Sequence, residues 1–449
     1  MKEYQVEIKD LKFPQVLGIA NLEGKTVFVP FVLPKEKVKV YLPERTKNLS
    51  LANLSQIERF SDFRTKPLCN HFGNCGGCSL QHLIYEEQLS LKENWLKEIL
   101  SQALEELPSL EKITPSAFSY FYRNKMEFCF GQEESRLFLG LRKKNFGFQK
   151  PYRKEVVEIK ECPIFSKLST EIFRTVLEFL SPLGFRSFNP YTKKGSLRHL
   201  VLKEAKTTNQ IMLILVTTSD CSFETEGLIN LLIKKIPQIK SIWWTKTNRP
   251  CDVVDYQEKS LLYGEHFIEE KFEEFTFRIY PETFFQPNPI MAFIIYRKIL
   301  ENIETNTSVL SLYAGSGVLE TFLSTKVSSI FGVDRDPQNI KTAQENFQLN
   351  KVKNCLFIQE KVEKVKNCLS QEKFDYAIID PPRSGLTSKA IKSILKISPP
   401  QIIYLSCNPL SFARDLKNLK SAGYKIEKIV SFDFLPQTIY FESLGILKQ

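Results

Sequence analysis

Long apolar runs are missing from this chain. Nowhere do 18 apolar residues follow one another, and the longest apolar stretches, residues 211–216 and 228–233, are of core size. The opening residues, Met1-Lys2-Glu3-Tyr4-Gln5-Val6-Glu7-Ile8-Lys9, carry no apolar segment of the kind a secretory signal needs. The chain is therefore expected to be soluble and cytoplasmic, with no membrane partner. Glycine is scarce as well, 18 residues among 449, and no internal repeat or low-complexity tract occurs. With 43% apolar and 25% charged residues, this composition argues against wholesale disorder. Two phosphate-binding signatures are absent: there is no full G-x-G-x-x-G and no G-x-x-x-x-G-K-[ST]. A dinucleotide cofactor is thereby disfavoured.

What is present is length, positive charge and cysteine. A chain of 449 residues holds about three domains, with material for more than one core. Net charge is +11 and the pI is near 9.0, which suits a polyanionic partner; a merely Lys-rich composition would give the same figures. Ten cysteines in a reducing compartment point to metal, cluster or catalytic use rather than to disulfides.

Residues 1–58 alternate apolar and polar positions in short bursts, among them Tyr4 to Ile8, Lys25 to Phe31 and Glu36 to Leu42. Period-2 bursts separated by Gly and Pro turns spell a small antiparallel barrel of OB-like type, a class that commonly binds oligonucleotides. Next comes Cys69-Asn70-His71-Phe72-Gly73-Asn74-Cys75-Gly76-Gly77-Cys78, a C-x5-C-x2-C run in a glycine-rich loop that can wrap a cluster. Cys162, just past a strand over residues 155–159 and followed by Pro163, is the best fourth ligand. His71 or His82 could instead complete a zinc site, although the five-residue spacing is wide for zinc. The remaining cysteines, Cys129, Cys221, Cys251, Cys355 and Cys368, sit mostly in apolar settings and read as core. Residues 86–106 show a helical period through Leu89, Trp95, Leu96, Ile99, Leu100 and Leu104. A strand-rich stretch follows to about residue 270, opening on Arg123, Asn124 and Lys125 among aromatics, a mixture suited to phosphates and unstacked bases or to a plain solvated face.

From about residue 280 strands and helices alternate. Residues 308–313, 329–334, 356–358, 374–380 and 402–406 read as buried strands, with helices from about 319, over 339–350 and over 387–395. Two more strands, over 424–432 and 438–447, close a doubly wound sheet. Chemistry-bearing residues fall at the strand ends. Ala314-Gly315-Ser316-Gly317 follows the first strand, and Asp334 ends the second, 17 residues beyond Gly317, where a carboxylate can accept from ribose hydroxyls. A nucleoside cofactor without phosphates, S-adenosylmethionine, fits this short glycine turn better than a dinucleotide. Asp380 opens Asp380-Pro381-Pro382-Arg383-Ser384-Gly385, and Cys407 ends Ile402 to Ser406 before Asn408-Pro409 stops the strand. A thiol, two acids and a methyl donor around one flat pocket suit methylation of uracil C5. That carbon is a poor nucleophile until a thiolate adds to C6, and a base must afterwards remove its proton. Cys407 is the candidate nucleophile, and Glu442, set in an apolar strand, the candidate base.

These residues carry a resemblance. Phe284-Phe285-Gln286-Pro287-Asn288, the Asp380 and Cys407 motifs, and Phe434-Leu435-Pro436-Gln437-Thr438 with Glu442 resemble the RNA (uracil-5-)-methyltransferase family. Gly18-Ile19-Ala20, residues 24–30 and Leu33-Pro34 resemble the TRAM domain, a small RNA-binding barrel. With four cysteines behind that barrel, the chain is similar to the 23S ribosomal RNA enzymes of the RlmD (RumA) type; the transfer-RNA enzymes of the family lack the cysteine cluster. The resemblance implies a TRAM-like barrel over 1–58, a central domain over 59–275 with the cluster cysteines and RNA contacts, and a Rossmann-like methyltransferase domain over 276–449. It implies a [4Fe-4S] cluster on Cys69, Cys75, Cys78 and Cys162, with zinc the weaker alternative. It also implies nucleophile Cys407, base Glu442, and S-adenosylmethionine contacts from Gln286, Tyr313, Asp334 and Asp380. The expected partner is an unstacked uridine of ribosomal RNA, met by a monomer; the same chemistry on transfer RNA is the alternative. Four positions depart from the family pattern: Val318, Lys361, Gln437 and Tyr440, where a polar residue, Asn or Asp, His and His are usual. Val318 and Lys361 favour a rival reading, a non-catalytic RNA-binding assembly factor, against which Cys407, Asp380 and Glu442 speak.

Overall fold

An eight-stranded sheet carries the C-terminal half of the molecule. The computed structural model describes residues 2–42, 50–144, 155–249, 254–256 and 258–449. Across the sheet the strands run Cys355–Gln359, Ser329–Asp334, Ser308–Leu312, Tyr376–Ile379, Gln401–Ser406, Glu442–Lys448, Lys425–Phe432 and Ser109–Leu110. The first five are parallel, and Glu442–Lys448 is inserted antiparallel between its neighbours. Strand order therefore reverses between Ser308–Leu312 and Tyr376–Ile379, and open α/β sheets bind ligands at the carboxyl side of such a switch point. Near-continuous burial along Val309, Leu310, Ala377, Ile378, Ile402 and Ile403 explains why these strands read as unbroken apolar runs.

Three differences from the sequence expectations bear on the site. The strand expected over 438–447 begins only at Glu442, because residues 433–441 form a buried turn whose backbone groups are already engaged. Thr438 Oγ1 donates to the Leu435 carbonyl at 2.7 Å, and Gln437 adopts φ 66°. Ser109–Leu110, from far upstream, extends the sheet edge beside Lys425–Phe432, a pairing no local pattern could announce. Helices Ser169–Leu180 and Glu226–Lys235 lie in the stretch expected to be strand-rich. In the first, Ile172, Phe173, Val176 and Leu180 are buried at helical spacing, a signal that was present in the sequence.

The preceding parts form further sheets, whose side chains share cores with the C-terminal sheet. Strands within residues 3–59 form a three-stranded and a four-stranded sheet around Val6, Ile8, Val27, Val29, Val38 and Val40. A seven-stranded sheet follows in the order Val156–Glu158, Arg136–Arg142, Lys125–Glu133, Leu197–Glu204, Ile211–Thr217, Ile239–Lys246 and Glu258–Gly264. Within the stretch expected to be strand-rich, residues 145–154 and Cys251 fall outside the described residues. Helix Tyr85–Ala103 lays Trp95, Leu96, Ile99 and Leu100 against Phe412, Leu416 and Leu419 of helix Pro409–Ser421. Beside that seam Lys92, fully buried, pairs with the equally buried Asp433, and the Tyr85 hydroxyl donates to the other Asp433 oxygen at 2.8 Å. A buried pair of this kind is weak evidence for stability, and breaking it from one side leaves a stranded charge at a cost of about 3–5 kcal/mol. Among the described residues no helix is long and apolar enough to cross a membrane.

Candidate active site

The Cys407 thiol is placed by two local decisions. Strand Gln401–Ser406 ends because Asn408 becomes the N-cap of helix Pro409–Ser421, its side-chain oxygen accepting from Leu410 N at 3.2 Å with Pro409 at the first helical position. The other end of the same amide, Nδ2, donates to the Arg383 carbonyl at 2.9 Å, and Ser411 Oγ donates to that carbonyl at 3.2 Å. The loop carrying Cys407 and the loop following Asp380 are thus tied together. Ser406 pairs with Ser443 in the antiparallel ladder, and extending the register by one residue sets Glu442 directly across from Cys407.

Electrostatics agree with that juxtaposition. Burial pushes the half-buried Cys407 thiol up to about 12, and the charges of Glu442 and Asp380 add to the push while Arg383 opposes it. Glu442 is held well above the usual carboxylate range, mainly by burial and then by Asp380; Arg383 again pulls the other way. Its Oε2 is buried without a hydrogen-bond partner. Asp380 is raised to about 7 by burial. Gln286 Nε2 donates to Asp380 Oδ2 at 3.3 Å, and Asn124 Nδ2 holds the Gln286 carbonyl at 2.9 Å. Asn124 is itself buried, and Lys125 pairs with Glu127 at 2.7 Å. The expected nucleic-acid contact from this triplet is therefore displaced, for Asn124, by an internal role as a brace under Gln286.

On the far side of the switch point the glycine turn is open. A Cβ at Gly315 would meet nothing within 4 Å, so this backbone lies free for a ligand to approach. At Gly317, φ 77°, a Cβ would stand 2.9 Å from Ala343 Cβ and 3.0 Å from the Phe347 ring, and only glycine lets helix Pro337–Leu349 pack this close. Tyr313 enters the turn at φ 62°. Gly315 N donates to Asp334 Oδ2 at 3.0 Å, which fixes one carboxylate oxygen at the tip of its strand. Tyr313, Asp334 and Asp380 thus stand at or just past the carboxyl ends of the strands beside the switch point, with Gln286 bonded to Asp380 and the backbone of Gly315 to Asp334. Of the four departures, Val318 is half-buried and Lys361 is exposed, while Tyr440 stacks under the Arg383 guanidinium at 4.6 Å.

Gln437 has a role that sequence reasoning missed. Its carbonyl accepts from Ser79 N at 2.9 Å and Leu80 N at 3.0 Å, immediately after Cys78. Its side chain and amide make a reciprocal pair with Gln88, at 3.0 and 3.1 Å. The Tyr122 hydroxyl donates to the Pro436 carbonyl at 2.9 Å. The turn leading to Glu442 is therefore braced by the cysteine loop and by helix Tyr85–Ala103, a long-range arrangement with no local signature.

The four cysteines themselves act on one another. Burial pushes Cys162 and Cys78 upward, Cys78 to about 12, with further contributions from Cys75 and Cys69 on both and from Cys78 on Cys162. Gly77 N donates to Cys75 Sγ at 3.4 Å, and a Cβ at Gly76 would stand 2.8 Å from the Arg142 carbonyl. His71 Nε2 already accepts from Lys160 N at 3.1 Å, which weighs against it as a zinc ligand. The expectation of a ready-made metal centre is not met: among the described residues no group of three or more His, Cys, Asp or Glu is arranged to hold a metal ion. Four thiols in one neighbourhood nevertheless suit a thiolate-ligated cluster in donor chemistry. Elsewhere, Cys129 and Cys221 are buried as expected, whereas Cys368 is exposed.

Comparison with known proteins bears on this geometry. A family model described as tRNA (Uracil-5-)-methyltransferase matches residues 253–449. An uncharacterised RNA methyltransferase of Caldanaerobacter subterraneus subsp. tengcongensis is 32% identical, over 100% of this chain and 98% of its own length. Another, from Thermotoga maritima, is 33% identical over 95% of this chain and 94% of the relative. Among solved structures, the tRNA (uracil-54, C5)-methyltransferase of Pyrococcus abyssi in complex with S-adenosyl-L-homocysteine is similar with a TM-score of 0.78 and 29% identity, over 99% of both chains. These matches identify the family: the chain is a member of the S-adenosylmethionine-dependent RNA (uracil-5-)-methyltransferase family.

Proposed function

We propose that this enzyme methylates C5 of a uridine in ribosomal RNA through a covalent adduct between Cys407 and uracil C6. The observation that carries the reading is the ladder pair Ser406–Ser443, which stands next to Cys407 and Glu442, together with the action of Glu442 and Asp380 on the thiol. In the resting site the thiol is protonated at neutral pH, so its proton must pass to Asp380 as the sulfur adds to C6, which leaves Glu442 free for the later step. The electron pair displaced from the C5–C6 bond makes C5 enolate-like. S-adenosylmethionine supplies the electrophilic methyl group that C5 takes. A carboxylate then accepts the C5 proton, the C6–S bond breaks, and Cys407 leaves as thiolate with the ring double bond restored. Glu442, with a buried and unpartnered oxygen, is suited to that acceptance. Gln286, Tyr313, Asp334 and Asp380 are the residues that would hold the cofactor.

The rest of the chain is assigned in the same sense. Residues 1–58 serve as a TRAM-like RNA-binding barrel, 59–275 as the central RNA-contacting domain and 276–449 as the methyltransferase domain, in a cytoplasmic monomer. Cys69, Cys75, Cys78 and Cys162 are the ligands proposed for a [4Fe-4S] cluster, supported by their mutual electrostatic action. A second reading, transfer RNA as substrate, is favoured by the likeness to the tRNA (uracil-54, C5)-methyltransferase of Pyrococcus abyssi. Mapping 5-methyluridine in the ribosomal and transfer RNA of a strain lacking this chain decides between them. Loss from ribosomal RNA alone supports the first reading, and loss from transfer RNA alone overturns it.

A further inference from the structure

Glu320 is a buried carboxylate that the reaction above does not use. It lies on the short helix Val318–Leu323, 1% exposed, with Oε1 accepting from Ser311 Oγ at 2.5 Å and Oε2 buried without a partner. An uncompensated acid in that position costs stability and asks for a reason. Ser311 belongs to Ser308–Leu312, the strand between those that lead to Asp334 and Asp380. The charged groups acting on Glu320 are those same two acids. Glu320 acts in turn on the buried Tyr296, which also feels Asp380 and Glu442, and on Cys355. The switch point is thus floored by carboxylates, with the exposed Arg383 the cation that acts on Cys407 and Glu442.

We propose that Glu320 is a positioning residue of the cofactor site: with Asp334 and Asp380 it forms an anionic floor that holds the positively charged methyl donor in preference to its uncharged product. The inference rests on the cofactor lying among Gln286, Tyr313, Asp334 and Asp380. S-adenosylmethionine bears a sulfonium, an ammonium and a carboxylate, net +1; after transfer the sulfonium charge is gone and S-adenosylhomocysteine is net neutral. A fixed carboxylate near the sulfonium therefore favours the donor and relaxes its hold on the product.

Calorimetric titration of both ligands into the full-length wild type, Glu320→Gln and Gln286→Ala tests this. The glutamine keeps an acceptor for Ser311 and removes only the charge. Glu320→Gln is expected to weaken S-adenosylmethionine about tenfold relative to S-adenosylhomocysteine, the scale of one unit charge acting through partly screened protein. Gln286→Ala should weaken both ligands alike. Burial raises Glu320 to about 7, so the wild-type preference should shrink as pH falls from 8 to 6. Asp380, raised in the same way, leaves part of that slope in the variant. If neither ligand binds the wild type, the cofactor site assignment falls and this inference with it. If both bind and Glu320→Gln changes them equally, or not at all, only the inference is overturned.

Discussion

The molecule holds two thiol sites built in opposite ways. Cys407 is a single sulfur fixed by its own neighbours in sequence: a strand end, an N-capping Asn408 and Pro409. The other site draws Cys69, Cys75 and Cys78 from one loop and Cys162 from beyond a strand pair, so its geometry depends on the packing of the central sheet. Burial raises the thiol pKa in both. At Cys407 the added push comes from fixed carboxylates, Glu442 and Asp380, which protonation or a cationic ligand can relieve. At Cys78 and Cys162 it comes from the other thiols, and what relieves that is a cation bound by all of them at once. The first arrangement suits a nucleophile that is to be switched on during a reaction; the second suits metal ligation.

The largest way to test that contrast is to remove each sulfur. Cys407→Ala should abolish methyl transfer and any covalent complex with 5-fluorouridine-substituted RNA while leaving RNA affinity within about threefold; measurable turnover would remove Cys407 from the nucleophile's role. Glu442→Gln should slow turnover roughly 10²–10⁴-fold and accumulate the Cys407 adduct, seen as an RNA-bound band on denaturing gels. Slow turnover without a trapped band would assign the proton to another group, with Asp380 the first candidate.

The next effect is on the cluster. Anaerobically purified protein should be brown and contain iron and acid-labile sulfide, and Cys162→Ser should lose most of both while lowering the melting temperature by several degrees. Since the Gln437 carbonyl is held by Ser79 and Leu80 next to Cys78, the same variant should also loosen the turn before Glu442, read as faster amide exchange there. A colourless protein containing zinc would overturn the iron–sulfur proposal.

The unequal legibility of the two sites has the same physical root. Strand ends, the glycine turn and the Cys407 motif are decided within a few residues, and the parallel strands announce themselves as apolar runs. The register that sets Glu442 opposite Cys407 is different in kind. It could not be counted from sequence because residues 438–441, read as the start of a strand, belong instead to a turn over 433–441 that is held by partners as distant as Ser79, Gln88 and Tyr122. Asn124 was legible as polar and misread as exposed, since its partner is the Gln286 carbonyl across a layer boundary. Glu320 carried no signal at all: a Glu in a six-residue helix looks solvated until the fold encloses it.

The smallest expected effect concerns the charge around Cys407 alone. With the thiol pushed up to about 12, the thiolate fraction should rise about tenfold per pH unit from pH 7 to 10, and alkylation of Cys407 by iodoacetamide should follow it, with exposed Cys368 as reference for the reagent. Arg383 pulls the thiol down, so Arg383→Gln should slow alkylation severalfold at every pH. Asp380 pushes it up, so Asp380→Asn should quicken it, and the gain should vanish below about pH 7, where burial keeps Asp380 itself protonated. A plateau in the wild type near pH 8 would mean the thiol is ionised at rest. The carboxylates opposite it would then have to act on the substrate alone.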